Sequence, residues 1–219
     1  MKLFISNDDL AVLEAQLAAL HGAAQLSARV ELAWHLRQRD STRALTLVEQ
    51  CQTELESADM SEVEQRRLSA RLDLIRSEVA LLLANAPQAL QHLQRATERF
   101  DPLCDLVGQG DAYWLRASIA LDRGPPELVD ASLQAALDHY RGADDSARVE
   151  LCQARRLIYA SFRDPVAALS VLQRQFPETR TSPAALTDFA GRRARKRGIV
   201  DQRPGCVGRL LPGFLSRWP

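Results

Sequence analysis

Apolar residues recur along the chain at spacings of three and four. Leu10, Leu13, Leu17 and Leu20 give the opening segment one apolar face. Ser6 to Asp9 supplies N-cap candidates and negative charge at its start, and Gly22 is the expected C-terminal stop. Further helices are predicted over about 25–39 and 41–57, with Asp40 as the cap between them, and from the capping box Ser61-Glu62-Val63-Glu64 to about Ala84. Others follow from Asn85 to about Phe100 and over roughly 109–123, 126–141, 145–162 and 165–175. The last opens with Asp164 as cap and Pro165 at its first position. No alternating β-branched run and no Asn-Gly turn marks a strand. The expected class is all-α, with about nine helices.

The pattern also pairs the helices. "RALTLVEQCQ", "QALQHLQRAT", "ELVDASLQAAL" and "AALSVLQRQFP" each set small or aliphatic residues four and then three positions apart. The positions are Ala44/Val48/Cys51, Ala89/Leu93/Ala96, Val129/Leu133/Ala136 and Ala168/Leu172, with Gln175 breaking the last slot. Small residues there let two helices approach closely. A pair of this kind cannot bury its apolar face alone, so neighbouring pairs stack.

These units resemble the tetratricopeptide repeat (TPR) family, whose repeat is about 34 residues long. The lead positions 44, 89, 129 and 168 lie 45, 40 and 39 residues apart, longer than that standard. The third unit fits best, with Ala117, Ala120, Gly124, Val129, Leu133 and Ala136; the fourth offers Tyr159 and Pro177. The resemblance covers roughly residues 25–178 and implies antiparallel pairs stacked as a TPR-like right-handed solenoid. "LAWHLRQRDSTRAL" and "ARRLIYASFRDPVAAL" further resemble the N-terminal TPR-like region of bacterial signalling proteins. In several of those a diguanylate cyclase (GGDEF) domain lies downstream. The resemblance implies a cytoplasmic sensory or interaction module; no GGDEF or GGEEF signature occurs in this chain.

Composition changes the picture at the C-terminal end. Residues 1–185 hold 26 acids and 20 bases, whereas 186–219 hold two acids and eight bases, so a net charge of zero conceals a basic tail. Five of ten glycines and three of ten prolines fall within 191–219. The expected division is therefore a TPR-like domain over 1–182 and a basic Gly/Pro/Arg-rich, disordered tail over 183–219. Three origins stay open for the tail: a truncated or frame-shifted longer protein, a functional basic arm, or a folded extension.

Candidate chemistry is sparse. Cys51, Cys104, Cys152 and Cys206 form no CxxC pair and are expected to be buried reduced thiols. His21, His35, His92 and His139 sit on different predicted helices without HxxxH or HxxE spacing; His21 and His139 are expected in helix C-terminal turns. Gly108-Gln109-Gly110-Asp111 lacks the lysine and preceding strand of a phosphate loop and is expected to be a turn and cap. Arginine sets such as Glu64/Arg67/Arg71 and Arg148/Arg155/Arg156 are expected mostly on solvated faces. No catalytic, cofactor or metal site is expected, and no run approaches the about 18 apolar residues of a membrane span.

A protein or peptide partner is expected in the groove lined by first helices, at Trp34, Arg37, Arg39 and Trp114. The competing reading makes Trp34 a packing residue beside a solvated His35 paired to Glu31. An uncapped repeat end would favour self-association. A second function class uses Arg192, Arg193, Arg195, Lys196 and Arg197 of the tail to contact nucleic acid. The stretch lacks interleaved aromatics and a groove-reading helix, which argues against it. A third possibility is a non-functional fragment of a diguanylate cyclase.

Overall fold

The computed structural model describes residues 1–164 together with Val166, Ser170 and Val171. These hold eight α-helices and no strand. They are α1 (Asn7–Leu17), α2 (Gly22–Leu36), α3 (Ser41–Leu55), α4 (Glu62–Leu82), α5 (Ala86–Phe100), α6 (Leu106–Arg123), α7 (Pro126–Gly142) and α8 (Ser146–Arg163). A short 3-10 turn, Asp101–Leu103, joins α5 to α6. The chain divides into two compact units, Met1–Val149 and Glu150–Pro219. The boundary expected at 182/183 and the basic tail lie outside the described residues, as does most of the ninth helix, expected over 165–175.

Side-chain caps set the starts of the helices. Ser6 and Asp9 form a reciprocal capping box on α1. Asp40, Ser61, Asn85 and Asp105 each accept a backbone N–H of the following first turn. Two turns use one device: Ala84 (φ 59°) and Asp144 (φ 54°) take the left-handed conformation just before the next cap. The following N–H then reaches back five residues, Asn85 to the Ala80 carbonyl at 2.8 Å and Asp145 to the Tyr140 carbonyl at 3.0 Å.

Within Met1–Val149, α2 packs with α3, α4 with α5, and α6 with α7. Successive pairs touch through α3 with α4 and α5 with α6, while α2 meets α4 and α4 meets α6 directly. The expected packing positions face inward: Ala44, Val48, Cys51, Ala89, Leu93, Ala96, Val129, Leu133 and Ala136 are each at most 6% exposed. Burying the aliphatic ones contributes about 1.5–3 kcal/mol each. Ala168 and Leu172 lie outside the described residues. Ser77, buried in mid-α4, donates to the Ala89 carbonyl at 2.7 Å and so ties α4 to α5 without an orphaned hydroxyl.

Several expectations need correction. The first helix ends at Leu17, and Gly22, at φ +58°, opens α2 rather than closing α1. His21 is consequently the N-cap residue of α2, not part of a C-terminal turn; His139 does lie in the last turn of α7. Gly108 and Gly110 are inside α6, which starts earlier than expected because Asp105 caps it, accepting the Gly108 N–H at 2.8 Å. Their missing Cβ atoms leave room for aromatic rings: a Cβ at Gly108 would overlap Phe100, and one at Gly110 would overlap Tyr140. Cys51 and Cys152 are buried, in no disulfide, whereas Cys104 is exposed.

Candidate functional site: a groove that holds backbone carbonyls

Met1 to Ile5 precede α1 and are not helical. Four of their five carbonyl oxygens accept hydrogen bonds from side chains of other elements. Arg148 Nη2 donates to Met1 at 2.8 Å, Trp34 Nε1 to Lys2 at 2.9 Å and Arg37 Nη2 to Leu3 at 3.3 Å. Arg39 Nη2 donates to Ile5. Leu3 is 3% exposed. The Phe4 ring lies 5.5 Å from the Arg37 guanidinium carbon. Indole and guanidinium N–H groups donate and carry no free lone pair, so the chemistry offered here is recognition of carbonyl oxygen.

The two buried arginines that meet the segment are held alike. Arg37 turns Nε to Glu78 on α4 at 2.5 Å, Nη1 to the Trp34 carbonyl, and Nη2 to the segment. Arg148, in the first turn of α8, turns Nε to Asp111 on α6 at 2.9 Å and Nη1 to Asp145 at 2.7 Å, while Nη2 donates both to Asp111 at 3.3 Å and to the segment. Each fork is therefore fixed by a carboxylate from a first helix before it meets a carbonyl. Both guanidiniums nearest Trp34 lie over its ring, Arg37 at 3.6 Å and Arg71 at 5.5 Å from the centroid.

Asp111 anchors the far side. It is buried, and it accepts from Arg71, from Arg148 and from the Tyr140 hydroxyl at 2.8 Å. Burial alone would raise its pKa, but the flanking Arg71 and Arg148 charges outweigh this and hold the carboxyl below the usual range. Burial would lower the Arg148 pKa, but the charge and hydrogen bonding of Asp111 outweigh it and drive it upward. Buried charges of this kind persist only when paired and hydrogen-bonded. A pocket of about 580 Å³ opens beside Met1, bordered by Arg67, Arg71, Asp105, Asp145 and Arg148.

Charge at the head of the segment has a counterpart on α2. Glu31 is held below the usual carboxylate range, first by its contact with His35 and also by the N-terminal ammonium and Lys2. His35 is buried, not solvated as expected, with Nε2 3.7 Å from Glu31 Oε1. Burial lowers its pKa, and its Nδ1 has no hydrogen-bond partner.

Of the residues singled out in the sequence, Trp34, Arg37 and Arg39 come together on one segment, while Trp114 is buried on α6. Trp34 is buried, and its N–H donates to the Lys2 carbonyl of the same chain. Arg71 and Arg148 were expected on solvated faces and are instead buried on Asp111. Their helical spacing gives no sign of this, since the carboxylate they share stands on another helix. Arg192, Arg193, Arg195, Lys196 and Arg197 lie outside the described residues. Among the described residues no group of three His, Cys, Asp or Glu side chains is placed to hold a metal ion. No helix among them is long and apolar enough to cross a membrane.

No family model, curated protein or solved structure matches the chain.

Proposed function

We propose that this chain is a non-catalytic interaction module, a TPR-like array of stacked helix pairs that binds a peptide or protein segment in the groove lined by α2, α4 and α6. Its setting would be a bacterial signalling protein, as the resemblance of "LAWHLRQRDSTRAL" implies. The observation that carries the reading is the row of Trp34, Arg37, Arg39 and Arg148 donors on the carbonyls of a non-helical segment. The direct contacts of α2 with α4 and of α4 with α6 support a continuous first-helix surface. Main-chain bonds supply affinity to any such peptide, and pockets for individual side chains supply selectivity.

The test is titration of a hexapeptide panel, to about millimolar concentration, into Leu3→Asp, which loosens the chain's own segment from these donors, and into Leu3→Asp/Trp34→Phe. The second variant keeps the ring and loses the N–H donor, which in the intact chain is taken by the Lys2 carbonyl. A subset of peptides should bind, at least about threefold more weakly to the double variant, consistent with loss of one hydrogen bond. A panel without a binder, or equal binding by a fully helical double variant, would count against a carbonyl-reading groove.

A further inference from the structure

We propose that Met1–Ile5 is a resident ligand of this groove, displaced by peptides of its own chemistry: a buried aliphatic residue in non-helical backbone. The inference rests on the peptide-groove reading and names its ligand class and its regulation.

Carbonyl oxygens are alike in every peptide, so donors from Trp34, Arg37, Arg39 and Arg148 do not distinguish a tethered segment from a free one. Discrimination falls to Leu3, which is nearly fully enclosed. That is the ground for an aliphatic residue at this place.

The groove does not depend on the segment for its shape. Arg37 keeps Glu78 and the Trp34 carbonyl, and Arg148 keeps Asp111 and Asp145, whether or not Leu3 and Met1 are in place. Such preorganisation favours exchange of one ligand for another over collapse. The tether also suits release. Ser6 leads directly into α1, which buries none of its residues, and poorly buried elements open at low cost. Beside Met1 the pocket of about 580 Å³ leaves room for a ligand that continues past the Met1 position.

A tethered segment competes at an effective concentration in the millimolar range. Fluorescent hexapeptide Met-Lys-Leu-Phe-Ile-Ser should therefore bind full-length Leu3→Asp at least about tenfold more tightly than the intact chain. A control peptide with Asp in place of its Leu should bind neither. Equal binding of the parent hexapeptide by Leu3→Asp and intact chain would overturn the resident-ligand inference while leaving the groove reading standing. Failure to bind a Leu3→Asp chain of native helicity would overturn the groove reading, and the inference with it. Should Leu3→Asp lose its helicity, the intact chain decides through the Leu3 methyl resonances. Their movement to solvent-exposed values as peptide is added supports displacement; unchanged resonances at millimolar peptide overturn it.

Discussion

Arg37 and Glu78 meet at 2.5 Å across the contact between α2 and α4, buried, with the Arg37 guanidinium stacked on Trp34. The pair fixes the arginine that reaches Leu3, so packing between first helices and recognition of the segment share one side chain. Removing either partner strands the other charge. Glu78→Ala and Arg37→Ala should each destabilise the fold by about 3 kcal/mol. The double variant should cost clearly less than their sum, as read from urea midpoints in a double-mutant cycle.

Alanine at Gly108 or Gly110 should reverse its usual effect. In a free helix glycine to alanine is stabilising by about 1 kcal/mol. Here the new methyl meets the Phe100 or Tyr140 ring, and overpacking costs about 1–3 kcal/mol. Both variants should lower the melting temperature; an increase in either would show that the rings can move aside.

Ala84 offers the opposite sign. It sits at φ 59° on the surface, where a Cβ costs roughly 1–2 kcal/mol, partly offset in glycine by about 0.5–1 kcal/mol of extra chain entropy. Ala84→Gly should stabilise by about 0.5 kcal/mol, measured by denaturant unfolding with an unchanged slope.

Stability should fall in two steps as the solution is acidified. Burial lowers the pKa of His35 and of His92 from 6.5, so the fold prefers their neutral forms. That contribution is complete above about pH 6.5 and is lost as the pH drops toward the lowered folded values. Asp111 is likewise depressed, below 3.8, by Arg71 and Arg148 acting against burial. Its contribution is complete above about pH 4 and disappears as the pH falls through the folded value. Urea midpoints across pH should show both declines. Asp111→Asn should shrink the lower one, to which Glu31 also contributes, and His35→Gln should shrink the upper one.

Thiol reactivity should separate the cysteines. Burial pushes the Cys51 thiol up to about 11, leaving almost no thiolate at neutral pH, whereas Cys104 is exposed. Peptide mapping after brief alkylation of the folded chain should find Cys104 modified and Cys51 and Cys152 spared. Modification at comparable rates would place Cys51 in a more open setting than its burial implies.

Periodicity made the helices legible because each apolar stripe is encoded locally, and the second-helix triplets read correctly because small residues at close contacts leave a spacing signature. Trp34, Arg37 and Arg39 were legible as a cluster for the same local reason. Their target was not. The segment is held by its backbone, and a backbone has no sequence, so "MKLFI" carries no mark of where it docks. The glycines of "GQGD" misled because a turn and a close aromatic contact both ask for a missing side chain. Asp111, beside them, shares no local pattern with Arg71 and Arg148, which lie 40 and 37 residues away.

The bond from Arg148 to the Met1 carbonyl also has a history within each molecule. During synthesis Met1–Ile5 leaves the ribosome ahead of every helix described above, and Arg148 follows it by 147 residues. At about 5–20 residues per second, that delay is on the order of ten seconds. Once α4 has emerged, α2 and α4 can assemble around Trp34 and Arg37 while the closing donor has yet to be made. The newborn chain therefore passes through a stage in which Met1 lacks its Arg148 donor, and a nascent partner emerging nearby would meet the segment before the tether is fully secured.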